Sequence, residues 1–181
     1  MSKKVLLNNK EVNIILHRLA CQLIEKHTDF SNTILVGLQP RGKYLANRLK
    51  NLLISVYKIK NVQIGFLDIT FYRDDFRRTD KVLKPSSNQM EFIVEGKKVV
   101  FIDDVLFTGR SIRAALTAIQ SYGRPKSIEL LILIDRRFSR HLPIQPDYRG
   151  RQVDAIENEK VIVNWKETTE EDSVYLIKQK L

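Results

Sequence analysis

The chain has 181 residues, 43% hydrophobic and 29% charged, with one cysteine and a formal net charge of +10. That length suits one domain, 1–181, with its own core; no apolar run approaches the ~20 residues of a membrane span, the stretch after Lys3 and Lys4 is too short for a secretory leader, and Cys21 alone excludes an intrachain disulfide framework or a multi-cysteine zinc site. The expected setting is cytoplasmic, without a membrane. The excess positive charge favours anionic partners, although a solvated basic surface would account for it equally.

In chain order, residues 11–27 have the three- and four-residue apolar spacing of an amphipathic helix, through Val12, Ile15, Leu16, Leu19, Leu23 and Ile24. Thr33 to Gly37 is expected to be a short strand, Gly42 to Leu53 a helix, and Val62 to Ile69 a strand. Residues 70–96 are polar and mixed, which predicts a long flexible loop of the kind that usually carries function. Lys98 to Asp103 is expected to be a buried strand, Gly109 to Ser121 a helix and Ser127 to Asp135 a second buried strand. Residues 136–158 are expected to be irregular and basic, followed by strands at Lys160–Trp165 and Val174–Lys178. Strands alternating with helices, two of them apolar throughout, predict an α/β, doubly wound, mostly parallel sheet with helices on both faces. Ligands of such sheets bind beyond the carboxyl ends of the strands.

Residues 99–111 are the segment richest in chemistry. An apolar strand runs into Asp103 and Asp104, and Thr108, Gly109 and Ser111 open a helix. A helix N-terminus offers unpaired N–H groups and partial positive charge to a phosphate, and Gly109 lets the backbone approach closely. Adjacent carboxylates beside a phosphate pocket need hydroxyls or a metal to face, and a ribose cis-diol supplies two hydroxyls. The ligand so deduced is a ribose 5-phosphate unit. The alternative, a cap and a turn, fits any part of the run but not its whole length. Gly37, Gly42 and Lys43 nearly spell a P-loop, but Tyr44 stands where a magnesium-binding Ser or Thr belongs, and Pro40 removes a backbone donor. Gln39-Pro40-Arg41-Gly42 fits instead a short anion loop with one fixed cation, and pyrophosphate is a candidate occupant; alone, the stretch is equally an ordinary turn.

Residues 99–111 resemble the phosphoribosyl pyrophosphate (PRPP) signature of type I phosphoribosyltransferases. Asp68-Ile69-Thr70-Phe71-Tyr72-Arg73-Asp74-Asp75, Gly37 to Gly42, Gly123-Arg124-Pro125, Asp135-Arg136, Leu142-Pro143-Ile144 and Asp147-Tyr148 with Gly150 follow in order. Together they resemble the bifunctional pyrimidine operon attenuation and uracil phosphoribosyltransferase family. The resemblance implies the type I fold, with a small hood from about residue 136 to 181. It implies transfer of phosphoribosyl from PRPP to uracil, giving UMP and pyrophosphate, with Mg2+ carried on the pyrophosphate and no direct side-chain metal ligand.

The roles it implies are specific. Asp103 and Asp104 hold the ribose hydroxyls, and Val105, Leu106, Phe107, Thr108, Gly109, Arg110 and Ser111 surround the 5-phosphate. Pro40, Arg41 and Gly42 receive the pyrophosphate, over which Arg73 and Arg77 close. Arg136 and Val161 border the uracil. His17, Arg18, Arg140, His141 and Arg151 are candidates to face an mRNA leader, and a homo-oligomer, dimer or higher, is expected. The chain departs from the family pattern at Pro40 (usually Thr), at Arg137 (usually Gly), at Cys21 (often His) and at Gln145 (often Arg). Two alternatives stay open: a regulator with little turnover, and a purine phosphoribosyltransferase. Residues 135–151 carry five arginines (136, 137, 140, 149 and 151) against Asp135 and Asp147, which fits an RNA surface and a solvated rim equally well.

Overall fold

The computed structural model describes residues 3–74, 89–156 and 158–178. Strand β1 (Lys3–Leu7) leads into helix α1 (Asn9–His27), then β2 (Thr33–Gln39), α2 (Gly42–Asn51) and a π-helical turn, Leu52–Val56. β3 (Gln63–Asp68) ends in a 3-10 turn at Thr70–Tyr72. β4 (Lys98–Leu106), α3 (Arg110–Ala118), β5 (Ser127–Arg137), β6 (Tyr148–Asp154), β7 (Glu159–Asn164) and β8 (Ser173–Lys178) complete the chain.

Five strands form a parallel sheet in the order β3-β2-β4-β5-β6. Side chains of β4 alternate between its faces, as the two-residue period of a strand requires. Val100 and Ile102 join Leu35, Leu131 and Leu133 under α1 and α2. Val99 and Phe101 join Ile34, Val36 and Ile132 under Ile112, Ala115 and Ala118 of α3. Continuous apolar strands are thus explained by two covered faces. The second sheet, antiparallel β1-β8-β7, is a separate three-stranded layer. None of the described helices is long and apolar enough to cross a membrane.

Several boundaries differ from the sequence expectation. α1 starts two residues early because Asn8 and Glu11 form a reciprocal capping box. β4 continues past the carboxylates to Leu106, since β5 stays in register beside it, Val105 opposite Ile134 and Leu106 opposite Asp135. Asp104 therefore lies inside the strand with Asp103 rather than beyond its end. The stretch expected to be irregular, 136–158, contains β6, an edge strand whose Arg149 and Arg151 hide its apolar pattern; charge on an edge is a common guard against further pairing. β1 was not expected at all: its polar flanks leave only Val5, Leu6 and Leu7 as a signal. Residues 75–88, most of the expected loop, lie outside the described residues, Arg77 among them.

Candidate active site

After β2 the chain visits β3 on one side and then β4 on the other, so the sheet order reverses between β2 and β4. In open α/β sheets the crevice beyond the carboxyl ends at such a reversal is the place for a ligand. The turn Gln39–Gly42 and the run Asp103–Ser111 meet there. Gly42 is needed for that meeting: a Cβ on it would collide with the Ile102 carbonyl and crowd the Asp103 Cα. The Gln39–Pro40 peptide is cis.

Asp103 accepts the Asp104 backbone N–H at 2.9 Å, and Asp104 accepts from Arg41 Nε at 2.8 Å. The guanidinium of Arg41 also donates to the Val163 carbonyl, which ties the anion loop to β7 of the second sheet. Burial pushes the Asp103 carboxyl well above its ordinary range; the charge of Asp104 adds to this, and Arg41 and Arg73 oppose it. Burial likewise raises Asp104, although Arg41 pulls the other way. The pair is thus short of positive or hydrogen-bonding partners for two full charges.

Beside the pair is a cavity of about 250 Å³, lined by Arg73, Asp103 and Val105 through Ile112. Arg73 donates to Ser111 Oγ at 2.9 Å. Gly109 sits at φ +92° and N-caps α3 with no side chain of its own; the Arg110 N–H donates to Thr108 Oγ1 at a long 3.4 Å, and the N–H groups of the first turn face the anion position. Asp74 pairs with Arg113 at 2.9 Å, fixing the segment after Arg73 against α3.

Arg136 does not line this cavity but stands behind Phe107, on the wall of a larger neighbouring one. It is 4% exposed, its guanidinium covers the Phe107 ring at 3.9 Å, and it donates to the Glu159 carbonyl at 2.9 Å. Its buried Nε has no protein partner, and burial lowers its pKa. Val161 packs in the core shared with α1 and α2 rather than on the cavity wall. The stacking of Arg136 on Phe107 was not foreseen; the aromatic residue before Thr108 was its only trace in the sequence.

Three of the basic candidates, Arg18, Arg140 and Arg151, donate to backbone carbonyls. Arg18 donates to the carbonyls of Arg149, at 3.2 Å, and of Gly150. Arg151 donates to the Leu6 carbonyl at 2.7 Å, and His17 Nδ1 lies 3.1 Å from the Tyr57 hydroxyl. Arg140 donates to the Phe107 carbonyl and to Asp135, while His141 is exposed and gives its backbone N–H to the Thr108 carbonyl at 3.0 Å.

Residues 2–167 match the family model described as phosphoribosyl transferase domain. The chain belongs to the phosphoribosyl transferase family. Within it, the chain is 43% identical over 173 residues to a protein of Gloeothece citriformis named Bifunctional protein PyrR, covering 96% of each. A Haemophilus ducreyi protein of the same name is 42% identical over 161 residues, 89% of each chain. The fold is similar to that of the Trypanosoma cruzi hypoxanthine phosphoribosyl transferase, with a TM-score of 0.72 at 17% identity over 96% of this chain and 91% of that one. The phosphoribosyltransferase fold foreseen from residues 99–111 is therefore the fold of the chain.

Proposed function

We propose that the chain transfers the phosphoribosyl group of PRPP to uracil, forming UMP and releasing pyrophosphate. One observation carries this: two adjacent carboxylates with raised pKa values, Asp104 buried and Asp103 on the cavity wall, stand beside the glycine-capped N-terminus of α3 at the sheet's point of reversal. Asp103 and Asp104 would accept from the ribose 2- and 3-hydroxyls, which relieves their shortage of donors. The backbone from Val105 to Ser111, with the Thr108 and Ser111 hydroxyls, would take the 5-phosphate.

Arg41 and the N–H groups of its loop would face the pyrophosphate. Arg73, at the cavity rim, would close the leaving-group side. Breaking the bond from the anomeric carbon to the pyrophosphate develops positive charge on the ribose and negative charge on the leaving group. The bond to uracil N1 forms as the N1 proton is lost. Positioning and fixed charge then supply most of the catalysis. The donor set suits magnesium, since carboxylate oxygens are hard ligands; bound to the pyrophosphate, the ion would neutralise its charge. Arg136, with its unpartnered buried Nε, is the base-side candidate together with the strand around Val161.

The name of its relatives, Bifunctional protein PyrR, and one observation favour a second role beside the first. Arg18 of α1 reaches the backbone of Arg149 and Gly150 in β6, and Arg151 of β6 reaches β1, so basic side chains gather where α1 crosses β6. A leader RNA is the proposed partner of that face, with His17 on the same helix α1, and a homo-oligomer in the cytoplasm the proposed state. The test is incubation with magnesium, PRPP and each common base in turn. UMP from uracil supports the assignment. Nucleotide only from hypoxanthine or guanine would convert it to a purine enzyme, and none from any base would leave the regulator alone.

A further inference from the structure

We infer that Arg140 is a positioning residue of the phosphate cradle, acting through the backbone of residues 107–109. The inference rests on the proposal that this cradle holds PRPP. Two consecutive carbonyls of the loop are held from outside by one short segment. Arg140 donates to the carbonyl of Phe107, and the backbone N–H of His141 donates to the carbonyl of Thr108 at 3.0 Å. Both following peptides are trans, since the cis bond of the described chain is at Gln39–Pro40.

In a trans peptide the C=O and the next N–H point in opposite directions. Holding the Phe107 and Thr108 carbonyls outward therefore turns the N–H groups of Thr108 and Gly109 the other way, towards the cavity lined by Val105 to Ile112. Successive N–H groups aimed at one point make an anion-binding concavity. Without outside anchors, a loop that includes a glycine at φ +92° has other conformations within reach.

The anchor is itself fixed. The Arg140 guanidinium also donates to Asp135, which is 4% exposed and lies 3.6 Å from Arg149 of β6. Asp135 stands opposite Leu106 in the sheet register, so the clamp reaches from β5 across to the loop that follows β4. The same segment packs flush on the loop: a Cβ on Gly109 would come within 3.2 Å of Ile144 Cδ1 and 3.4 Å of Leu142 Cβ. Residues 140–144 are thus the outer wall of the cradle. The charge of Arg140 points into the protein, although its sequence context is that of a solvated basic run.

The test is steady-state kinetics and calorimetric titration with magnesium PRPP on wild type, Arg140→Gln and Arg140→Lys. Arg140→Gln is expected to raise the KM and Kd for PRPP about tenfold or more, to leave the KM for the base unchanged, and to keep the wild-type circular dichroism spectrum. Arg140→Lys keeps a charge for Asp135 but loses the planar fork, so partial recovery is expected. If Arg140→Gln does not fold, Arg140→Lys carries the comparison, with a raised KM for PRPP alone as the expected result. A loss confined to general stability, with both KM values unchanged in the folded variant, overturns the assignment. Wild type that binds no PRPP would overturn the cradle itself and this inference with it; wild-type binding with equal binding by both variants would overturn only the role of Arg140.

Discussion

The two ends of the parallel sheet solve opposite problems. At the amino ends, His27 bridges three elements: its Nε2 lies 3.1 Å from Glu129 and 3.0 Å from the Tyr148 hydroxyl, and its Nδ1 lies 3.0 Å from the Thr33 hydroxyl. Tyr148 donates to Glu129 at 2.6 Å, and Lys26 caps the other Glu129 oxygen at 3.2 Å. Every member of that buried network has a partner, so it ties α1, β2, β5 and β6 together at little cost. At the carboxyl ends, burial forces up the pKa of two adjacent carboxylates that share Arg41 as their nearest cation. Satisfied polar groups hold a fold; under-satisfied ones at a sheet reversal wait for a ligand. His27 is therefore more than a helix-end residue: burial lowers its pKa despite the opposing charge of Glu129, where a favourable helix-end charge would have raised it.

The largest expected effect is at the carboxyl ends. Asp103→Asn with Asp104→Asn removes two charge-assisted bonds worth ~1.5–3 kcal/mol each. That lowers the rate of nucleotide formation by about two to four powers of ten. The thermal midpoint should stay the same or rise, because two buried like charges are gone. Near-wild-type turnover would erase the proposed distinction between the ends.

At the amino ends the effect should be the reverse. Glu129→Gln leaves His27, Tyr148 and Lys26 poorly matched, at a cost of about 1–3 kcal/mol. Urea unfolding measures it, and the rate per folded molecule should be unchanged.

A smaller effect is the pH dependence of stability, which should have opposite signs at the two ends. His27 has a lowered pKa, so below its ordinary 6.5 the unfolded chain takes up a proton that the fold resists. Stability falls as pH drops through that region, and His27→Gln should flatten the slope. Asp103 and Asp104 have raised pKa values, so above the ordinary 3.8 the unfolded chain releases protons that the fold retains. Their contribution is lost as pH rises through that range, and the double Asn variant should remove it. Unfolding curves over a pH series separate the two slopes.

Much of the carboxyl end was legible in the sequence because its signals are local. Thirteen consecutive residues held the strand, the acids, the turn and the helix start. The amino-end network was not legible, because His27, Glu129 and Tyr148 are separated by about a hundred residues or by a strand crossing, and only the sheet register brings them together. β6 escaped because Arg149, Arg151 and Gln152 stand between its two buried positions, Tyr148 and Val153, and break any alternation. Arg140 looked like part of a solvated basic run; its partners, the Phe107 carbonyl and Asp135, belong to two other strand ends, and one of them is a backbone atom that no side-chain pattern reveals.

The most direct test of the central claim is a calorimetric titration of magnesium PRPP into the wild-type protein and into the folded Asp103→Asn, Asp104→Asn variant. Saturable one-site binding by the wild type, lost or weakened at least a hundredfold in the variant, is the expected result, as two such bonds imply. Equal affinity in the two proteins would contradict the claim that the buried acid pair holds the ribose.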